Sequence, residues 1–247
     1  MSRGLGDVYK RQAFLEYLPG GGRNYQYYRK NSVGSLLAAA DLDEADIAGA
    51  YAVHFPGMLL ELTPQMRGAC ERLVEIARSN GVLVSFDPNI RQELASGSDA
   101  LRRLQWAMEQ ADVAAPTLWE GQFLTGETTV GNVLRALHGM GPRVVALTRD
   151  TDGAVISMDG QVAVAEGIDV EAVDPTGAGD TLAAALCVGL QEGMPLARLA
   201  AFCNSAGTLV ITRRGAIGMA LPARAQVEAL AASDACRVTC LPLDGLP

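Results

Sequence analysis

A chain of 247 residues with 49% hydrophobic content can bury a full core, and one α/β domain of this length is ordinary. The formal net charge of −8 argues against a nucleic-acid or anionic-membrane partner, and only Lys10 and Lys30 among the 20 cationic residues are lysines, which leaves little for lysine-nucleophile chemistry. Cys70, Cys187, Cys203, Cys236 and Cys240 are scattered and odd in number, with no His placed to complete a metal site, so they suggest neither a disulfide framework nor zinc. No apolar run reaches the length of a membrane span and nothing reads as a signal peptide, so a cytoplasmic location is expected.

Residues 1–12 show mixed charge, Gly4, Gly6 and no period. Gly6 to Gln12 reads like translated adapter sequence, so 1–12 is expected to be a non-native tail, the alternative being an ordinary disordered N-terminus. Two aromatic, β-favouring runs, Ala13 to Leu18 and Asn24 to Arg29, flank Pro19-Gly-Gly-Gly-Arg23 and predict a hairpin over about 13–30. A short helical stretch from Asp43 to Ala50 precedes a buried strand, Tyr51 to Phe55, on which His54 reads as a strand histidine at the sheet end. Thr63-Pro64 opens a helix running to about Asn80, with Gly81 in the left-handed position after it.

Val82 to Phe86 is a parallel-type strand, and Asp87-Pro-Asn-Ile-Arg91 follows at its carboxyl end, where open α/β sheets collect ligands. By itself Asp-Pro-Asn is a turn signal. A helix from Ser98 to Gln110 and a strand at 113–115 lead to Pro116-Thr-Leu-Trp-Glu120, in which Glu120 suits the first turn of a helix. The strand Arg143 to Thr148 runs into the loop Arg149 to Ala154, with a β-hairpin through Ile156 and 162–164. A helix from Pro195 to about Val210 carries Asn204. Arg213 and Arg214 read as a solvated pair, Gln226 to Ala232 closes the fold, and 233–247 is expected to be a tail.

Between these lies the stretch from Val173 to Leu190. Gly177, Ala178 and Gly179 form a turn with almost no side chain, and Asp180 stands at the opening of a helix whose apolar residues recur at helical spacing. Free N–H groups at a helix start, together with the dipole, favour an anion, and a carboxylate beside it can take a proton from a hydroxyl. Taken alone, Asp180 also reads as a plain N-cap.

The whole string Asp174-Pro-Thr-Gly-Ala-Gly-Asp180 resembles the signature of the ribokinase-like (PfkB) carbohydrate kinases. The resemblance implies a three-layer, doubly wound and mainly parallel sheet with a small β lid. It assigns the catalytic base to Asp180 and the anion hole to Gly177, Ala178 and Gly179. Glu16-Tyr-Leu-Pro19 with Tyr27-Tyr-Arg-Lys30, and Asp87-Pro-Asn-Ile-Arg91, are similar to the 2-keto-3-deoxygluconate kinases. That likeness implies a sugar acid bound by Tyr17, Tyr27, Arg29, Asp87, Asn89 and Arg91. It further implies nucleotide contacts from Thr148, Gly153 and Asn204, although Asp150 stands where relatives carry a glycine. Glu120 would assist magnesium through water.

The cofactors implied are ATP and Mg2+, with room for a monovalent cation near Asp174, and a homo-oligomer through the lid is compatible. The likeness covers 13–232 but corresponds to the later part of a family member, so an N-terminally truncated product is expected. Alternatives are a fructokinase, a ribokinase, a 5-dehydro-2-deoxygluconate kinase, or a truncated protein that binds sugar or nucleotide without turnover.

Overall fold

The computed structural model describes the backbone of residues 12–17, 23–28, 35–91 and 98–247, with side chains described over 35–91 and 99–247. Strands β1 (Gln12–Tyr17) and β2 (Arg23–Tyr28) form the expected antiparallel hairpin, with Ala13 opposite Tyr27 and Tyr17 opposite Arg23. The first strand starts at Gln12, inside the segment expected to be a tail. The side chains of Tyr17 and Tyr27, and Arg29 altogether, lie outside the described residues.

The remaining strands make one sheet in the order β3 (Ala52–Pro56), β4 (Leu83–Asp87), β5 (Val113–Ala114), β6 (Val144–Thr148), β7 (Ala154–Met158), β8 (Gln161–Ala165) and β9 (Val238–Pro242). Pairing is parallel from β3 to β6 and antiparallel from β6 to β9. After the short α1 (Glu44–Ala48), the parallel strands are linked through α2 (Pro64–Ser79), α3 (Ser98–Gln110), and the pair α4 (Leu118–Thr125) and α5 (Val130–Met140). Parallel neighbours in sequential order, joined by right-handed crossovers, place all these helices on one face.

The core bears this out. Cys70, Val74, Leu104, Met108, Leu124, Val133 and Leu137 pack in one cluster with Val84, Phe86, Val145 and Leu147 of the sheet. The alternate strand residues Leu83, Val113, Val144 and Ala146 face the other way. They are covered by α6 (Ala178–Gln191), α7 (Leu196–Val210) and α8 (Arg224–Ala231) through Leu186, Leu199, Cys203 and Val227. The result is the three-layer α/β sandwich that the resemblance implies, built on a mixed sheet whose β3–β6 half is parallel and β6–β9 half antiparallel.

Two elements differ from expectation. Helix α5 was not anticipated, although Thr129 caps it by accepting from the Asn132 N–H and Val133, Leu134 and Leu137 bury its inner stripe. Residues 233–247 are not a tail. Their strand β9 pairs residue for residue with β8, from Gln161 opposite Pro242 to Ala165 opposite Val238. The chain end then meets α5, where the Gly131 N–H donates to the Pro247 carbonyl at 2.8 Å. A Cβ on Gly131 would sit 2.1 Å from the Leu246 carbonyl oxygen, so the glycine is what admits the terminus. The strand escapes a pattern reading because only Val238 and Leu241 are partly shielded, and pairing to β8 rather than apolar period holds it.

Candidate functional site

The polar residues gather at the carboxyl ends of β3 and β4. Pro56 pairs with Asp87 there, and Asp87, two residues beyond Ser85, lies on the face covered by α6. Asp87 is buried and accepts from the Asn89 backbone N–H at 2.9 Å and from Asn89 Nδ2 at 3.2 Å. Burial, and next the charge of Glu120, push its carboxyl up to about 7; the Asn89 bonds oppose this and Asp180 adds to it. Asn89 itself takes a left-handed conformation with φ of 40°. Its Oδ1 and the Nε of Arg91 are buried without a partner among the described residues, and both residues line a small cleft with Gly57, Met58 and Glu61. Two orphaned polar atoms beside a buried carboxyl are a place for a polar ligand group.

Glu120 closes the floor of this region. It forms a capping box with Thr117 and is 6% exposed. Its Oε2 accepts from the Thr117 N–H at 2.8 Å and from Thr117 Oγ1 at 2.9 Å, while Oε1 accepts from the Ile90 N–H at 2.7 Å. The residue expected to assist a metal is thus engaged on both oxygens in tying two loops together. Among the described residues no group of three or more His, Cys, Asp or Glu side chains could hold a metal ion.

The glycine turn is built from Asp174 outward. That carboxylate is 3% exposed and accepts from the Thr176 N–H, from Thr176 Oγ1 and from the Gly215 N–H at 3.1, 2.7 and 3.1 Å. The turn is thereby clamped to the loop after α7. Gly177 has φ of +87°, and a Cβ there would come 2.8 Å from the Ala216 Cβ. Gly177 is also the N-cap of α6, without a side-chain cap, so Asp180 is the third residue of the helix and not its cap. The Thr181 N–H reaches Gly177 and the Ala178 N–H reaches Pro175, whereas the N–H groups of Gly179 and Asp180 have no acceptor among the described residues. Both residues are exposed. Free amides at a helix start beside an unspent carboxylate suit an anion next to a group that must lose a proton.

Arg213, read as part of a solvated pair, instead organises this loop. Its guanidinium donates to the carbonyls of Met219 and Leu221 and to Gln226 Oε1. A lone basic pair carries no sign of such carbonyl partners, which come from a turn eight residues long. Arg214 is exposed, as expected.

Gly153 and Asn204 converge on one segment. Gly153 has φ of +89°, and a Cβ there would lie 2.3 Å from the Ala165 carbonyl; Asn204 Nδ2 donates to the Glu166 carbonyl at 2.8 Å. Thr148 stands at the carboxyl end of β6, bridged to Thr117. The intervening Asp150 is exposed, with φ of 50°, and heads a single 3-10 turn.

A family model described as pfkB family carbohydrate kinase matches residues 15–224. Fructokinase-1 of Zea mays is 31% identical over 224 residues, covering 87% of this chain and 69% of that protein. A relative from Arabidopsis thaliana named "Probable fructokinase-2" is 30% identical over 214 residues, covering 83% of this chain and 65% of that protein, so the chain spans about two thirds of these relatives. A candidate ribokinase II from E. coli, solved with ATP and Mg2+, superposes with a TM-score of 0.82 at 29% identity, covering 89% of this chain and 70% of that one. A 2-dehydro-3-deoxygluconokinase from Thermotoga maritima shares the fold, with a TM-score of 0.82 at 23% identity over 90% of this chain and 73% of that one.

Proposed function

Because the chain belongs to the pfkB family of carbohydrate kinases, we propose that it catalyses transfer of the ATP γ-phosphoryl group to a sugar hydroxyl, with Asp180 as the base. The amides of Gly179 and Asp180, without an acceptor among the described residues, carry this reading, since free N–H groups at a helix start suit the charge that builds on a transferred phosphoryl group. The small residues Gly177, Ala178 and Gly179 let those oxygens approach the backbone. The exposed Asp180 carboxylate, three residues into the helix, takes the proton of the attacking hydroxyl. Thr148, Gly153 and Asn204 form the nucleotide side. ATP as donor is supported by the ATP and Mg2+ of the E. coli relative. Magnesium would supply charge neutralisation on the nucleotide phosphates, and Glu120, already engaged on both oxygens, would act on it only through water.

The acceptor we propose is a sugar acid of the 2-keto-3-deoxygluconate type, held by Asp87, Asn89 and Arg91 together with Tyr17, Tyr27 and Arg29 of the N-terminal aromatic runs. Its support is that Arg91 Nε and Asn89 Oδ1 are buried without a partner among the described residues and that both residues line one cleft, because a guanidinium fork suits a carboxylate. A neutral ketose is the second reading, favoured by the likeness to plant fructokinases. A coupled ADP-release assay of the full chain across 2-keto-3-deoxygluconate, 5-dehydro-2-deoxygluconate, fructose and ribose separates them. Highest kcat/KM on the sugar acid, lost in Arg91→Ala, is expected. A preference for fructose that ignores Arg91 overturns the acid, and calorimetric ATP binding without turnover of any sugar replaces the enzyme by a binding protein.

A further inference from the structure

Three carboxylates border the loop that bears Arg91, and each gives both oxygens to another residue. Asp87 accepts twice from Asn89, through Oδ1 and Oδ2. Glu120 accepts from the Ile90 N–H and from Thr117. Glu61 is held by Arg103, whose Nε and Nη2 donate to Oε1 and Oε2, both at 2.5 Å. Among the described residues no ion pair joins Arg91 to any of the three.

Glu61 differs from the other two. It lines the cleft that Asn89 and Arg91 line, and Glu61 and Arg91 are the charged residues of that lining. Its backbone is fixed from two sides. In the 3-10 turn Gly57–Glu61, a Cβ on Gly57 would lie 2.4 Å from the Pro88 carbonyl oxygen and 2.6 Å from Leu104 Cδ2. The turn is thus pressed between the Arg91 loop and α3. Leu60 is fully buried, and its carbonyl accepts from Arg67 Nε on α2 at 3.1 Å.

The Glu61 side chain is 9% exposed, and a carboxylate buried to that degree must pair or take up a proton. Arg103 provides the partner from behind. It lines a separate cavity with Arg67, Arg102 and Trp106, and not the cleft itself. Its planar fork covers both Glu61 oxygens at once, which a lysine ammonium does not.

On the reading that Arg91 receives the carboxylate of the acceptor, we infer that Arg103 is a positioning residue that sets specificity: by occupying Glu61 it leaves the cation of the cleft to an acidic ligand. Without Arg103, Glu61 pairs with Arg91 and the cleft becomes neutral within itself. The loss then falls on sugar acids, whose charge needs Arg91.

In the full chain, Arg103→Gln is expected to raise KM for 2-keto-3-deoxygluconate about 10-fold, the worth of one charge-assisted hydrogen bond, with kcat and KM for ATP each changed less than about twofold. Adding Glu61→Gln is expected to restore the low KM, because the competing charge is gone. A merely structural Arg103 would lower kcat as well, and removal of Glu61 would not repair it. Should Arg103→Gln fail to fold, Arg103→Lys is expected to show a smaller change in the same direction. An unchanged sugar-acid KM, or one that stays high in the double variant, overturns the inference.

A second measurement needs no turnover. Phenylglyoxal labelling of Arg91, read by mass spectrometry of its peptide, is expected to slow by the same factor in Arg103→Gln and to recover in the double variant. Equal labelling rates overturn the inference. If the unmodified chain neither binds nor turns over a sugar acid, the sugar-acid reading fails alone, and the labelling rates decide the role of Arg103.

Discussion

Glu120 accepts a hydrogen bond from the Ile90 backbone N–H at 2.7 Å, and this one bond ties the loop bearing Asn89 and Arg91 to the helix start at Thr117. The two residues are separated by all of α3 and β5. A carboxylate with three donors in a buried setting is worth more than a surface cap, since each charge-assisted bond contributes about 1.5–3 kcal/mol.

Glu120→Ala is therefore expected to destabilise the fold by about 2–4 kcal/mol in urea unfolding, because it leaves the Ile90 and Thr117 N–H groups without their acceptor. Glu120→Gln, which keeps one acceptor oxygen, should lose less. A purely metal-assisting Glu120 would instead leave unfolding unchanged and lower turnover only.

Gly177→Ala and Gly179→Ala should part company, although they lie two positions apart. The first places a Cβ at φ of +87° and 2.8 Å from Ala216, and is expected to cost about 1–3 kcal/mol in thermal unfolding. The second adds a methyl group to a helical residue with nothing within 4 Å, and should leave stability equal or about 0.5–1 kcal/mol higher.

Asp87 gives the stability a pH dependence of defined sign. Its folded pKa, pushed up to about 7, lies above the unfolded carboxylate value of about 3.9. As pH rises between these values, the unfolded chain releases a proton that the folded chain keeps, so this residue's contribution is full below about pH 4 and lost by about pH 7. The urea midpoint of Asp87→Asn, relative to the unmodified chain, should rise across that window. A pH-independent difference would show that Asp87 ionises in the fold as it does in water.

Deleting residues 233–247 should destabilise the protein strongly. The cut removes β9 from β8 and takes away Leu241, Leu243 and Leu246, which pack against the main core cluster. Three half-buried leucines amount to on the order of 3 kcal/mol, and the bared edge of β8 invites association. Thermal melting with light scattering measures both effects; an unchanged melting temperature would mean that the segment is the tail its sequence suggests.

Much of the candidate site was legible because its information is local. Thr117 to Glu120 spells a capping box, and Asp174 to Asp180 spells a turn that only small residues can make, so each can be read within one window of chain. Asp180 as a cap was a misreading of the same window, since Gly177 supplies the left-handed residue and the helix starts one position later. Arg213 was not legible, because its partners come from a turn and a helix that only packing brings near.

While the three-layer arrangement was implied by its resemblance to a known family, the sequence by itself determined the strand and helix periods. It also determined the small-residue turn, because backbone at φ of +87° excludes a side chain pressed against Ala216. Tertiary structure alone decided that β9 joins the sheet beside β8 and that Glu120 commits its oxygens to Ile90 and Thr117. These depend on hydrogen bonds between distant residues, whose directions exist only once the layers have packed.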